Sequence, residues 1–233
     1  MDPKIRQIIE NSILKSKKQK KEFLLFSRIM VFIQDPLISD SVDFDVVVSN
    51  LEKSMPPHLF EDIDIIYVGQ YQDLIDRALE ALYESGAIYI TNTLSENIDY
   101  IENIIHENAH SIEDTHGLSI YGDGKVKSEF VGKRERLFHT IKSQDCDMTG
   151  LDFLDSEFDQ EMDDFLYKEI GYDNLNYLIN GLFLNPYAVT SISEYFASGL
   201  EKYFLDGAKR EQLRRFSPEL TKKIEELING YQN

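Results

Sequence analysis

The chain has one cysteine, Cys146, among 233 residues, so no disulfide can form within it, and its stability must come from packing, a metal or partners. That count fits a reducing compartment. Basic residues are scarce: 24 Lys+Arg stand against 42 Asp+Glu, giving a net charge of −18 and a sequence pI near 4.6. Such a surface repels phosphate backbones and anionic lipids, so neither nucleic acid nor a membrane is expected as a partner. Long apolar runs are missing too. The longest, Phe23-Leu24-Leu25-Phe26 and then Ile29 to Ile33, breaks at Ser27-Arg28, far short of the roughly 20 residues needed to span a bilayer. The opening residues interleave charge with apolar side chains and show no secretory-signal pattern, so the expected setting is cytoplasmic or assembly- and virion-associated. No internal repeat is visible.

What the chain does have is apolar mass, with 42% hydrophobic residues including 14 Phe and 13 Tyr, enough for one large domain or two small ones. Residues 3–34 read as helix, with Ile5, Ile8, Ile9, Ile13 and Leu14 at helical spacing and a basic segment from Lys15 to Lys21. That segment is read first as a solvated helix face, and otherwise as a docking element for an acidic protein partner. Val42, Phe44, Val46 and Val48 alternate with Asp43, Asp45 and Val47 as a half-buried strand would. Then come a strand over 63–68, a helix over 73–85 closed by Gly86, a strand over 87–91, and a helix from about Ser95 with an apolar stripe of Ile98, Ile101, Ile104, Ile105 and Ile112. Residues 117–150, rich in glycine, read as irregular, and the acidic run over 147–166 as a helix with a solvated face. Helices are expected over 175–183, 191–205 and 218–229. This pattern divides the chain into a helical N-terminal segment, 1–56, and an α+β domain, 57–233, that is mainly helical with a small mixed sheet.

His106-Glu107-Asn108-Ala109-His110 is an H-E-x-x-H pentad inside the strongest helical segment. Histidines at this spacing sit about 40° apart around a helix and one turn along it, so both imidazoles can reach one zinc ion, with Glu107 beside them as a proton acceptor. Ile101, Ile104, Ile105, Ala109 and Ile112 give the helix a buried side and leave the histidines to face a cleft. A catalytic zinc takes three protein ligands and keeps one position for water, so another ligand is required. His116 follows too soon and lacks the glycine and later histidine of the longer zinc motif, and His139 reads as partly buried or as a substrate contact. Glu194 is the better candidate, because it opens a helix whose Phe196, Leu200, Tyr203 and Phe204 face inward. The alternative is an ordinary acid favoured by the helix dipole, and spacing alone does not separate the two.

Taken with Asn185-Pro186-Tyr187 and Ser193-Glu194-Tyr195-Phe196-Ala197, the stretch from His106 to Gly117 resembles the catalytic domain of anthrax lethal factor and its smaller relatives, including the clostridial Pro-Pro endopeptidases. The likeness covers about residues 60 to 230, with a variable middle. Tyr187 precedes Glu194 by seven residues, as the family tyrosine precedes its ligand glutamate. Ala109 stands where a glycine is frequent, and Ser198 where relatives often have an acid. The resemblance implies a zincin-like metallopeptidase with Zn2+ held by His106, His110 and Glu194. Glu107 would activate a metal-bound water and then protonate the leaving amine, and Tyr187 would donate to the oxyanion. Glu113 and Asp114 are expected close to His110 as outer partners. The strand over 87–92, just ahead of the pentad helix, is the expected sheet edge for pairing with a peptide or protein substrate. Two other readings stay open: a structural or interaction component of a phage particle or other assembly that keeps a zinc site with little turnover, and a toxin or effector that uses residues 1–56 for delivery or docking.

Overall fold

The computed structural model describes residues 5–6, 21–143 and 146–230. Two short apolar runs, Glu22–Leu25 (β1) and Ile29–Ile33 (β2), fold back on each other. The reversal is made by Phe26 and Ser27, whose φ angles of 50° and 57° suit a tight turn between twisted strands. Glu52 Oε1 accepts from the Phe26 N–H at 2.7 Å, and the Arg28 guanidinium donates to the carbonyls of Phe60 and Ile63. The helix expected over 3–34 is thus a hairpin across 22–33. Its short apolar arms, rich in Phe, Ile and Leu, match either state by periodicity, and the turn chemistry between them decides for strand. The basic segment lies outside the described residues up to Lys20.

The segment expected to be a strand around Phe44 is instead a helix, Phe44–Ser54 (α1). Asp43 caps it by accepting from the Asp45 N–H at 2.9 Å, and Phe44, Val47 and Leu51 share its buried face. A 3-10 turn, Pro57–Phe60, leads to Ile65–Gly69 (β3), Gln72–Arg77 (α2), Ala81–Glu84 (β4) and Ala87–Thr91 (β5). The expected helix over 73–85 stops early because Ala78 turns left-handed, at φ 53°. Gly86, at φ 84°, closes a second hairpin rather than a helix.

The five strands run in the order β1-β2-β3-β5-β4, with β2, β3 and β5 parallel and the two outer strands antiparallel to their neighbours. The strand over 87–91 therefore lies inside the sheet, and the edge near the pentad is β4, which corrects the expectation for 87–92. Ile66, Val68, Ile88 and Ile90 are fully buried on one face, each contributing roughly 1.5–3 kcal/mol of hydrophobic stabilisation. Tyr67 and Tyr89 stack at 5.4 Å on the other.

Asn97–Tyr121 (α3) is the pentad helix, opened by a reciprocal capping box between Glu96 and Asp99. Ile101, Ile104, Ile105, Ala109 and Ile112 are buried as expected, whereas Ile98 is 42% exposed. Much of the expected irregular region is a helix, Lys125–Lys142 (α4), which buries Val126, Phe130, Leu137 and Ile141 at helical spacing. The acidic run behaves oppositely. Asp147, Asp152, Asp155 and Asp159 each accept from the N–H two residues on, so they build turns, and helix begins only at Gln160–Asp164 (α5). A π-helical turn, Phe165–Ile170, is followed by Tyr172–Leu178 (α6), a 3-10 turn at Tyr187–Val189, Ile192–Leu205 (α7), Gly207–Phe216 (α8) and Pro218–Ile228 (α9).

The architecture is α+β, mostly helical, with a small mixed sheet. One hydrophobic cluster extends from Phe23 to Leu227 and includes Phe23, Leu25, Ile29, Phe44, Val47 and Leu51. Among the described residues no helix is long and apolar enough to cross a membrane.

Candidate metal centre

Helices α3 and α7 pack across each other with opposed directions at the contact, His110 lying beside Ser193 and His106 beside Glu201. Ser191 fixes where α7 begins by accepting from the Glu194 N–H at 3.1 Å, which seats Glu194 in the first turn. Its carboxylate lies between the two imidazoles: Oε2 is 3.0 Å from His106 Nε2 and Oε1 is 3.7 Å from His110 Nε2. One ligand atom from each of His106, His110 and Glu194 lies within 4.8 Å of the others. Ligands of a tetrahedral zinc at about 2.0–2.1 Å sit about 3.3 Å apart, a spacing that the two measured separations bracket. The residues present could hold a metal ion, and the two histidines and the glutamate singled out by the sequence are brought together.

Both imidazoles present Nε2 to the shared point because Nδ1 is engaged elsewhere. His110 Nδ1 is 3.2 Å from Glu113 Oε2 and 3.1 Å from Ser193 Oγ, and Ser193 in turn donates to Glu113 at 2.5 Å. The Tyr121 hydroxyl donates to the other Glu113 oxygen. Asp114 is exposed, so of the two outer partners expected near His110 only Glu113 reaches it. His106 Nδ1 is 3.5 Å from Glu201 Oε2. Glu201, Ser193 and Tyr121 were not anticipated from sequence, although Glu201 stands two helical turns past Glu194 on the same face, a spacing that could have flagged it.

Four carboxylates, Glu107, Glu113, Glu194 and Glu201, surround two imidazoles, and the protonation equilibria reflect this surplus of negative charge. Burial works to lower the His106 pKa, but the Glu194 and Glu201 carboxylates outweigh it and push it up to about 10. His110 is shifted upward against its burial by Glu113 and Glu194. Burial raises the Glu107 carboxyl, with the histidines opposing, whereas Glu201 is held below the usual range because His106 and Lys202 overcome its burial.

Glu107 is 8% exposed, and its Oε2 accepts from the Tyr83 N–H of β4 at 2.7 Å. Because the Thr91 N–H donates to the Glu80 carbonyl, alternate β4 residues face β5, and Ala81 and Tyr83 turn their main-chain groups outward. They border a cleft of 740 Å³ shared with His106, Glu107, His110, Tyr172, Tyr187 and Glu194. Tyr187 is 37% exposed, its ring 6.2 Å from that of His106. Burial and the Glu194 charge raise its phenol pKa, so the hydroxyl keeps its proton at neutral pH. Asn185 Oδ1 accepts from the Ala188 N–H at 2.7 Å and steadies the turn that carries Tyr187.

His139 lies exposed on α4 beside Phe138 and does not line the cleft, correcting its reading as partly buried or a substrate contact. His116 is further along α3 and outside the His106, His110 and Glu194 group. No protein-family model matches the chain, and no curated protein matches it.

Proposed function

We propose that the chain is a zinc-dependent endopeptidase. The observation that carries this reading is convergence: two imidazole nitrogens from α3 and a carboxylate from α7 meet at one point, and the pentad glutamate opens beside them onto a cleft bordered by a strand edge. The likeness of the pentad, Tyr187 and Glu194 to lethal factor-type peptidases supports it. A purely structural zinc, usually closed by a fourth protein ligand, would need neither Glu107 nor Tyr187 at the cleft.

When bound, the ion would supply Lewis acidity, lowering the pKa of a water molecule and polarising a carbonyl. Glu107 would take a proton from the attacking water as the water oxygen bonds to the peptide carbonyl carbon. Its Oε2 is anchored by Tyr83, which leaves Oε1 for proton exchange, and its burial favours holding the proton until the leaving amine accepts it. The Tyr187 phenol donates to the oxygen on which negative charge develops, a contact that strengthens toward the transition state. An extended peptide pairs with the outward main-chain groups of Ala81 and the carbonyl of Tyr83.

Metal analysis of the purified protein, together with cleavage of a diverse peptide library by wild type and Glu107→Ala, tests the proposal. One zinc per chain with cleavage lost in the variant is the expected result. Bound zinc without cleavage by either protein would favour an assembly component, and no zinc after metal-supplemented purification would remove both readings.

A further inference from the structure

Helix α7 turns Glu194, Ser198 and Glu201 toward the site at i, i+4 and i+7, and these side chains have different partners. Ser198 is 1% exposed, and its hydroxyl meets both side-chain atoms of Asn185, at 3.2 Å from Nδ2 and 3.3 Å from Oδ1. That contact supports the turn bearing Tyr187, so position 198 is committed to the tyrosine rather than to a histidine. Glu201 is 7% exposed, and its Oε2 lies 3.5 Å from His106 Nδ1. A carboxylate is costly to bury unless each oxygen has a partner. Here Oε1 meets the Lys202 ammonium, which also lies 3.9 Å from Glu102, and Oε2 meets the imidazole.

Resting on the zinc-centre reading above, we infer that Glu201 is the positioning residue for His106, reaching it from i+7 on α7. The helix makes that reach feasible. Seven residues bring a side chain back to within about 20° of its starting face while advancing it about 10.5 Å along the axis. Glu194 and Glu201 therefore bracket the His106 ring, one carboxylate at Nε2 and the other at Nδ1. Contact with Glu201 keeps the proton on Nδ1 and leaves the Nε2 lone pair for the metal. His110 has the equivalent support from Glu113 on its own helix, so the two ligand imidazoles are oriented from different elements.

The test is zinc affinity by chelator competition, together with the visible spectrum of the Co2+-loaded protein, for wild type, Glu201→Gln and Glu201→Ala. A 10–100-fold loss of affinity with an altered cobalt spectrum in a folded variant is expected. Glu201→Gln keeps the volume of the side chain and carries the test alone if Glu201→Ala does not fold. Wild-type affinity and an unchanged cobalt spectrum in the folded variants would overturn the assignment while leaving the zinc centre standing. Failure of the wild type itself to bind zinc would overturn both.

Discussion

Tyr187 and Lys133 show how far a single side chain can be read. If Tyr187 donates to the oxyanion as proposed, Tyr187→Phe is expected to lower turnover on the order of 10²-fold, with zinc content and KM little changed in steady-state assays. Lys133 is 5% exposed and donates to Tyr195 and Ser217, each at 2.6 Å. Burial pulls its pKa down to about 8 against the pull of Glu129, whereas in the unfolded chain it stays near the ordinary lysine value. Between those two values the unfolded chain binds one more proton, so stability rises with pH. Urea unfolding of zinc-loaded protein is expected to show a gain of about 2 kcal/mol between pH 8 and 9.5, and Lys133→Met should flatten that slope.

At the scale of elements, turn chemistry decided several outcomes. Gly86 sits at φ 84°, where an added Cβ would lie 3.1 Å from Asp64 Oδ2. Gly86→Ala is expected to cost on the order of 1–2 kcal/mol in chemical denaturation, loosening the β4–β5 hairpin. The pentad helix, the strand at Ile65–Gly69 and the helices carrying Glu194 and Leu220 were legible because long stretches kept one period and had clear starts. Phe23 to Ile33 and Asp73 to Glu84 were not, since a change of direction needs only one or two residues of positive φ, and here Phe26 and Ser27 in the first and Ala78 in the second, not glycines, supply it. The glycines of 117–150 misled in the other direction: Gly132 lies within α4, where Val126, Phe130, Leu137 and Ile141 anchor the helix around it. The grouping of His106, His110 and Glu194 could be read from spacing and resemblance; the i+7 spacing put Glu201 on the face of Glu194, but its contact with His106 appears only when α3 and α7 are packed together.

For the molecule as a whole, zinc is expected to act as a folding ligand. The candidate ligands come from two helices about 90 residues apart in sequence, so a bound ion would clamp elements that only the folded chain brings together. Free zinc at 100 times its dissociation constant should add about 2.7 kcal/mol, seen as a rise in melting temperature that chelator reverses and that is absent in His106→Ala.

The polar knot around Lys133 bears on this site from another side of α7. The Tyr195 hydroxyl is held by Lys133 and donates to Glu129 at 2.8 Å, and Glu129 also receives the Glu219 and Leu220 N–H groups at the start of α9. Adjacent helical positions point about 100° apart, so pinning Tyr195 sets the compass bearing of its neighbour Glu194. The Glu194 carboxylate is aimed from the flank, by anchors that do not line the cleft.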